Sequence, residues 1–311
     1  MTQYLTLQEK DILEISKQYD LKPIGYESLE EGAGNTNYLL RTAQGQYVLT
    51  ILEIDHVGAA NMCRLLYWLE EFDFPTTRVQ ELANGNVLTN YRGKPVLLKP
   101  YIVGQTVENM DKHMVSQVGT AIARLHAIPS PHYLPGQHTY GLEAYPRLME
   151  KGIDVEYENR LAQRFAFLRQ TIPSGLPRGL IHGDMFYDNV LFNGNGFKAI
   201  IDFEDACQYY KVFDLGMAVV GLCTEGSIVR LPKVRSLVNG YQKTRALEEA
   251  EKELLQLFIE YAALATSLWR FWKFNVDTPI AELSDKHWGM VHIAEGARAI
   301  PSEEFMNAVF S

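Results

Sequence analysis

The eight residues His182–Asn189, with the sequence HGDMFYDN, decide the fold that we expect for this chain. A short apolar run begins at Asn189, and the next segment, Asn193–Gly196, has the composition of a tight turn. A second apolar run, Ala199–Phe203, carries Asp202 near its end. A lone carboxylate is out of place in an apolar strand unless it has a chemical task. We therefore expect a β-hairpin that begins at the loop and ends at Asp202.

This spacing is the one that phosphoryl transfer requires. The reaction needs a group that orients and deprotonates the acceptor hydroxyl, and hard oxygen ligands for magnesium. The pattern H-x-D-x-x-x-x-N of a kinase catalytic loop predicts Asp184 as the base and Asn189 as a ligand of Mg²⁺. Asp202 is predicted to be the main Mg²⁺ ligand. The alternative is that Asp184, Asp188 and Asn189 only cap turns, which for Asp188 alone is the better interpretation.

A glycine-bearing segment lies between two strand-like runs near the amino terminus. Its pattern is G-x-G-x-x-N, and a strand follows it, whereas a dinucleotide-binding fold would have a helix there. We therefore expect a hairpin that covers the phosphates of ATP, with a plain glycine turn as the alternative. The chain has no G-x-x-x-x-G-K-[ST] pattern, which excludes the P-loop enzymes. The nucleotide-binding residues predicted in this segment are Gly32, Gly34, Asn35, Thr36 and Asn37.

The bulk composition excludes several other classes of protein. The net charge of −9 makes nucleic acids and anionic membrane surfaces poor partners. The 3 cysteines are far apart, which predicts neither a disulfide framework nor a zinc site. No secretory signal precedes the first helix, and the longest apolar stretch is too short to span a bilayer. We expect a cytoplasmic protein, either a monomer or a homodimer.

Hydrophobic periodicity divides the chain into two parts. The first part predicts one helix near the amino terminus, an antiparallel meander, a second helix and two more strands. The residue pattern of the second part predicts long core helices and only two short strands, the runs at Asn189–Phe192 and Ala199–Phe203. The predicted helices after the first one are Val57–Phe72, His113–Ala127, Glu156–Thr171 and Ala246–Phe274.

This division predicts an α+β fold with two lobes. A β-rich lobe that covers the nucleotide is expected over residues 1–98, and a helical lobe with the catalytic and substrate residues over 99–311. The hinge between them is expected near 99–104. Lys99 and Tyr101 lie in that hinge, where backbone groups would read adenine while apolar side chains sandwich the ring.

These residues resemble the aminoglycoside phosphotransferase and choline kinase superfamily, the small-molecule relatives of protein kinases. The triplet His182–Asp184 is similar to that superfamily's form of the catalytic loop, and protein kinases carry arginine where Gly183 stands. The resemblance implies a protein-kinase-like fold with a small antiparallel sheet and a mostly helical second lobe. It also implies ATP and Mg²⁺ as cofactors and a small hydroxylated metabolite as the acceptor.

Within the superfamily, the chain is most similar to the kinase-like type of homoserine kinase. That type resembles this chain in lacking the third-strand lysine that usually contacts the phosphates; Thr50 stands at that position. The resemblance implies phosphorylation of L-homoserine to O-phosphohomoserine, a step of threonine biosynthesis. What holds the phosphates stays open, with Arg64 as one candidate. The similar segments are Glu31–Leu40, Gly45–Glu53, Asp188–Phe192, Ile201–Phe203, Phe213–Gly216, Asn239–Tyr241 and Ser267–Arg270.

An amino-acid acceptor needs partners for its two charged ends. Glu204 and Asp205 are candidates for an ammonium, and Arg270 for a bidentate carboxylate contact. The alternative is that the two acids are solvated loop residues and that Arg270 is an ordinary helix-surface residue. The resemblance gives Asp214 a supporting role through hydrogen bonds to the catalytic loop, whereas its position also suits a helix cap.

Other functions stay open from the sequence alone. Within the enzyme class the alternatives are choline or ethanolamine, a methylthio-sugar, and an aminoglycoside. Choline would need an aromatic cage, for which Trp269, Trp272, Tyr209 and Tyr210 are available. The alternative of another class is a nucleotide-binding pseudokinase with a regulatory role. The missing lysine favours it, and the joint presence of Asp184, Asn189 and Asp202 argues against it.

Overall fold

The computed structural model describes three stretches of the chain, residues 7–29, 34–148 and 151–311. The chain divides into two compact units, which we call the sheet unit and the helical unit. The sheet unit comprises residues 2–104 and 199–204, and the helical unit comprises 105–198 and 205–311. The segment that carries Asp202 therefore belongs with the amino-terminal sheet, although it follows the HGD loop, as we call His182–Asn189, in sequence.

The sheet unit is built on five antiparallel strands in the order β1-β2-β3-β5-β4. This arrangement confirms the antiparallel sheet expected from the β-branched runs and short turns. The strands are β1 (Pro23–Leu29), β2 (Thr36–Thr42), β3 (Gly45–Ile51), β4 (Leu88–Tyr91) and β5 (Lys94–Pro100). The helices are α1 (Glu9–Gln18) and α2 (His56–Glu71).

Both faces of this sheet are buried. Side chains alternate between faces along a strand, so neighbours in sequence enter different clusters. Leu49 of β3 and Leu98 of β5 pack with Ile12 of α1 in one cluster. Leu97 lies in the other cluster with Met62 of α2. The two helices thus cover opposite faces, which fixes the register of the strands that carry the predicted nucleotide-binding residues.

The helical unit contains the long helices predicted from periodicity. The last of these is shorter than expected, since α-helical geometry ends at Phe271 and a π-helix continues over Trp272–Asp277. The α-helices are α3 (Lys112–Ala127), α4 (Tyr145–Leu148), α5 (Val155–Thr171), α6 (Lys211–Leu222), α7 (Leu231–Gln242), α8 (Glu249–Phe271), α9 (Lys286–Ala299) and α10 (Ser302–Phe310).

The expectation of only two strands after the hinge was wrong. The described residues after the hinge include six short strands, in three two-stranded sheets: β6 with β9, β7 with β8, and β10 with β11. Four of them went unpredicted because runs of two to four residues have no detectable period. Their bounds are β6 (Arg178–Ile181), β7 (Val190–Asn193), β8 (Gly196–Ile200), β9 (Cys207–Tyr210), β10 (Thr224–Glu225) and β11 (Ile228–Val229).

The ends of the predicted hairpin also differ in detail. Asn189 is the last residue of a 3-10 turn, Tyr187–Asn189, and the strand begins one residue later. The returning strand ends at Ile200, so Asp202 lies beyond it instead of closing it. Asp202 has a φ of +65°, a left-handed backbone that non-glycine residues rarely adopt. Phe203, which is 2% exposed, anchors this turn in the sheet unit by packing edge-on against Phe74.

Two glycines allow helices of the helical unit to pack backbone against backbone. A Cβ at Gly240 of α7 would lie 1.9 Å from a backbone oxygen of α3. A Cβ at Gly216 of α6 would lie 2.4 Å from a backbone oxygen of α8. Both distances are too short for any side chain, so glycine is required at both positions. Helices α6 and α7, which carry Asp214 and Tyr241, are therefore held closely by their neighbours.

The cysteines and the helices agree with the compositional expectations. Cys63, Cys207 and Cys223 are buried and form no disulfide. Burial raises the pKa of the Cys63 thiol to about 12, so that thiol stays neutral near pH 7. No helix in the described parts of the chain has both the length and the apolar character needed to cross a membrane.

Candidate active site

The HGD loop brings Asp184 and Asn189 together. The side-chain amide of Asn189 donates to the Asp184 backbone oxygen at 2.8 Å and to Oδ2 of its carboxylate at 3.0 Å. Asn189 is buried, whereas Asp184 is partly exposed. Both donors of the amide are directed at Asp184, so the amide oxygen is the atom left for a cation. The loop thus presents an oriented carboxylate beside a hard oxygen donor.

The buried carboxylate of Asp214 holds the HGD loop through hydrogen bonds to the loop backbone. Oδ1 of Asp214 accepts the N–H of Gly183 at 2.9 Å, and Oδ2 accepts the N–H of His182 at 3.0 Å. Asp214 is fully buried at the fourth position of α6, so the helix-cap interpretation was wrong. Its contacts are those that the supporting role required. The loop backbone ahead of Asp184 is therefore fixed by an element 30 residues away in sequence.

The pKa of Asp214 lies below its ordinary value. Burial by itself would raise the pKa, but the hydrogen bonds from the His126 ring and from the His182 backbone outweigh burial. Burial lowers the pKa of His126 in turn, which keeps that imidazole neutral. Asp214 is therefore an ionised acceptor, and the groups around it are donors.

A chain of hydrogen bonds continues from Asp214 towards the surface. Nε2 of His126 donates to Asp214 at 3.1 Å, and its Nδ1 accepts from the Tyr241 hydroxyl at 2.8 Å. The Tyr241 oxygen accepts in turn from Arg245, which also makes a bidentate ion pair with the buried Glu251. His126 is thus a buried histidine with a hydrogen bond at each ring nitrogen. These hydrogen bonds connect the HGD loop to α3, α7 and α8.

Gly183 occupies a position that only glycine can fill. Its φ is +89°, and a Cβ would lie 2.7 Å from the backbone oxygen of Asp205. The backbone conformation and the lack of space each exclude a side chain. The glycine that distinguishes this loop from that of protein kinases therefore has a structural cause as well.

Arg270, the predicted carboxylate partner, lies near the predicted base. It stands in the last turn of α8, and the carboxylates of Asp184 and Asp188 both act on its guanidinium. Burial lowers the pKa of Arg270 below its ordinary value, and the two carboxylates offset part of that effect. A half-buried guanidinium is chemically suited to a bidentate contact with a carboxylate.

The two acids predicted to hold an ammonium have different surroundings. Asp205 belongs to the helical unit, where its charge raises the pKa of Tyr140, an effect second only to burial. Tyr140 also packs against Trp272, the first residue of the π-helix, with ring centroids 6.4 Å apart. Glu204 belongs to the sheet unit, where it accepts a hydrogen bond from the Asn35 side chain. Asp205 is the acid with aromatic neighbours.

The predicted nucleotide-binding residues of the sheet unit are linked in pairs. The Thr50 hydroxyl donates to Oδ1 of Asn37 at 2.8 Å across the β2–β3 pair. Oδ1 of Asn35 accepts the N–H of Glu53 at 2.9 Å, while its amide donates to Glu204. Thr50 is buried, so its hydroxyl replaces the usual lysine sterically without replacing its charge.

The remaining predicted residues lie as follows. Thr36 is buried at the start of β2, and within the described residues its hydroxyl has no hydrogen-bond partner. Gly34 has open space around its Cα, and Gly32 lies outside the described residues. Lys99 is half-buried on β5, Tyr101 follows that strand and donates its N–H to Gln46, and Arg64 is exposed on α2.

Comparison with known proteins assigns the family. Residues 25–249 match the phosphotransferase enzyme family (APH). The chain belongs to this family. The matched range includes the HGD loop, Asp202 and Asp214 of this phosphotransferase, and it ends before Arg270. The residues predicted to be catalytic are therefore within the family match, whereas the predicted carboxylate partner lies outside it.

Individual relatives agree with this assignment. The phosphotransferase is 31% identical over 289 residues to a homoserine kinase of Caulobacter vibrioides (strain NA1000 / CB15N), a match that covers 87% of this chain and 89% of the relative. A microcompartment-associated aminopropanol kinase superposes with a TM-score of 0.73 at 18% identity, covering 97% and 98% of the two chains. The amicoumacin kinase hAmiN, solved with AMP-PNP and Ca²⁺, superposes with a TM-score of 0.73 at 17% sequence identity, and the match covers 95% of each chain. The two superpositions confirm the predicted protein-kinase-like fold.

The structure also identifies a residue that sequence patterns did not single out. His138 lies between α3 and α4, and its Nε2 is 3.1 Å from the backbone oxygen of Gly183. No periodicity or motif surrounds it, and its contact is 45 residues away in sequence. Only the folded chain reveals this contact.

Replacing the buried carboxylate tests its support of the loop. In Asp214→Asn an amide group replaces one acceptor oxygen, so at least one of the three donors loses its partner. We expect the free energy of unfolding to fall by about 3 kcal/mol at pH 7. Because the folded pKa of Asp214 is depressed, its contribution is present above the unfolded pKa of about 3.9 and is lost as the pH falls through the folded value. The Tm difference from wild type should therefore shrink below about pH 4.

Asp111→Asn is the matched control for this variant. Asp111 caps α3 by accepting the N–H of Met114 at 2.8 Å, a role that asparagine fills equally well. Its Tm should stay close to that of wild type at every pH. An Asp214→Asn variant as stable as this control, or a Tm difference that is equal at pH 7 and pH 3.5, would contradict the assignment.

Proposed function

We propose that this phosphotransferase is a Mg²⁺- and ATP-dependent kinase that converts L-homoserine to O-phosphohomoserine, in threonine biosynthesis. The observation that carries the proposal is the Asp184 carboxylate, which Asn189 orients and whose charge acts on the Arg270 guanidinium. The name of the Caulobacter vibrioides relative supports homoserine as the acceptor. Arg270 supports it independently, because homoserine carries a carboxylate.

Asp184 would act as the general base. Asn189 donates to Oδ2 and so would hold the carboxylate in the orientation in which it faces the acceptor hydroxyl. As the hydroxyl oxygen forms its bond to the γ-phosphorus, its proton passes to Asp184 and the bond from that phosphorus to the β-bridging oxygen breaks. The products are the phosphate ester and ADP. The residues that hold the loop, Asp214 above all, would keep the carboxylate in line.

The residues present suit magnesium. Asn189 offers an amide oxygen and Asp202 a carboxylate, both of them hard donors. No group of three or more His, Cys, Asp or Glu in the described residues could hold a metal ion. Two protein ligands are consistent with Mg²⁺, which usually keeps waters and takes substrate phosphates as its other ligands. When bound, the ion neutralises charge on the phosphate oxygens.

We assign ATP to the residues predicted for it in the sheet unit. The segment Gly32–Asn37 would cover the phosphates, and Lys99 and Tyr101 would lie beside adenine. Thr50 is buried and bonded to Asn37, so it would shape the loop and not contact phosphate. Backbone N–H groups and Mg²⁺ would then supply the hydrogen-bond donors and the positive charge that a third-strand lysine supplies to the phosphates in other kinases.

Arg270 and Asp205 would recognise the two charged ends of homoserine. Arg270 would bind the carboxylate, and Asp205, beside Tyr140, the ammonium. Glu204 is the weaker candidate, because it already accepts a hydrogen bond from Asn35. The Tyr140–Trp272 ring pair also suits the ammonium of ethanolamine or choline. Neither alcohol has a carboxylate for Arg270, so homoserine is preferred.

Turnover on a panel of acceptors tests the proposal. ADP release with Mg²⁺ and ATP is measured for L-homoserine, L-threonine, L-serine, ethanolamine, choline, a methylthio-sugar and an aminoglycoside. We expect kcat/KM for homoserine to exceed every other value by at least roughly 10-fold, since only homoserine places both charges at the right distance from its hydroxyl. Preference for choline would contradict the acceptor assignment. ATP binding without turnover on any acceptor would indicate a pseudokinase.

A second test isolates the carboxylate contact of Arg270. Arg270→Met should lower kcat/KM for homoserine by on the order of 100-fold, the loss of a charge-assisted bidentate pair. For 3-aminopropan-1-ol, which is homoserine without its carboxylate, the change should be much smaller. Arg160→Met removes an arginine that forms exposed ion pairs on α5 and should change neither value. Equal losses for both acceptors would contradict carboxylate recognition.

A further inference from the structure

His138 is a buried imidazole in direct contact with the HGD loop. It lies on the segment between α3 and α4, is 3% exposed, and packs against Phe213 of α6 with ring centroids 4.9 Å apart. The catalytic roles proposed above do not use it. Its ring is nevertheless held on both nitrogen atoms by backbone groups.

These two contacts determine the tautomer of the ring. Nε2 lies 3.1 Å from the Gly183 carbonyl oxygen, which can only accept, so Nε2 carries the proton. Nδ1 lies 3.3 Å from the backbone N–H of Tyr140, which can only donate, so Nδ1 is unprotonated. Burial lowers the pKa of His138, which keeps the ring neutral, although the charge of Asp205 offsets part of that effect.

The peptide group between Gly183 and Asp184 is therefore held from both sides. Its carbonyl accepts from Nε2 of His138, and its N–H donates to Nδ1 of His182 at 3.2 Å. Two hydrogen bonds to opposite ends of one peptide group fix the orientation of its plane. That plane sets the direction of the Cα–Cβ bond of Asp184, and hence the position of its carboxylate.

The segment that carries His138 is itself anchored in the core. The N–H of Leu142 donates to the buried Tyr261 hydroxyl at 2.7 Å, and the Leu142 carbonyl accepts from Arg169 at 2.8 Å. Gly141 lies against the same hydroxyl, 3.0 Å from where its Cβ would be. His138 thus acts on the loop from a fixed support, since these bonds hold its backbone on both the α5 and the α8 side.

We infer that His138 is a positioning residue that fixes the peptide group ahead of Asp184. The inference rests on the proposed function only in giving Asp184 a catalytic role. Tyr140, which bonds to the same ring, also packs on Trp272. The backbone of Tyr140 and the backbone of the HGD loop therefore contact the same imidazole.

Two substitutions separate positioning from simple packing. His138→Gln keeps an N–H close to the position of Nε2, whereas His138→Met fills the space without a donor. We expect His138→Met to lower kcat by on the order of 10-fold, the value of one hydrogen bond, with KM for ATP nearly unchanged. His138→Gln should recover most of that loss, and His132→Gln, an exposed histidine of the same segment, should have no effect. Equal kcat values for His138→Gln and His138→Met would overturn the inference.

Two measurements without substrate distinguish this inference from the proposed function. The ¹⁵N shifts of His138 at neutral pH should show a protonated Nε2 and an unprotonated Nδ1. Amide hydrogen exchange of residues 182–186 should be faster in His138→Met than in His138→Gln, because the loop is less restrained. An Nδ1–H tautomer, or equal exchange in the two variants, overturns the inference whatever the acceptor is. If both results hold while the acceptor panel shows no turnover, the proposed function fails and the support of the loop stands.

Discussion

The active site depends on one constraint. The Asp214 carboxylate accepts hydrogen bonds from two consecutive backbone N–H groups of the HGD loop. An ionised carboxylate without solvent is costly unless its oxygens are saturated, and here the donors are the loop itself and His126. The loop cannot move away without leaving a buried charge unpaired. Gly183 makes this contact possible, since any side chain there would collide with a neighbouring backbone oxygen. The position of the HGD loop therefore depends on the packing of α6 in the helical unit.

The proposed chemistry depends on side chains that surround this supported loop. Asn189 orients Asp184, His138 and His182 hold the peptide ahead of it, and Arg270 places positive charge nearby. The family match covers His138, His182, Asp184 and Asn189 and ends before Arg270. The proposed contact between Arg270 and the acceptor therefore lies outside the range of the family match, in the last turn of α8.

How much the sequence predicts depends on the range of the interaction. The pairing of Asp184 with Asn189 could be predicted, since the two residues lie five positions apart in a recognisable spacing, and the long helices could be predicted from their period. The four short strands could not, because each is stabilised by a distant partner. Neither could the contact of His138 with Gly183, which joins residues without any local pattern. Asp214 shows the same limit for local patterns: its place at the start of an apolar helix suggested a cap, whereas the family resemblance implied the hydrogen bonds to the loop that the structure shows.

The central claim is that Asp184 is the base that this scaffold positions, and the most direct test removes its carboxylate alone. In Asp184→Ala, kcat for homoserine should fall by roughly 10²–10⁴-fold, the usual contribution of a general base, while the dissociation constant for ATP stays nearly unchanged. Asp188→Ala is the matched control, because Asp188 lies on the same loop and also acts on Arg270; it should retain most of the activity. A near-normal kcat for Asp184→Ala would contradict the account.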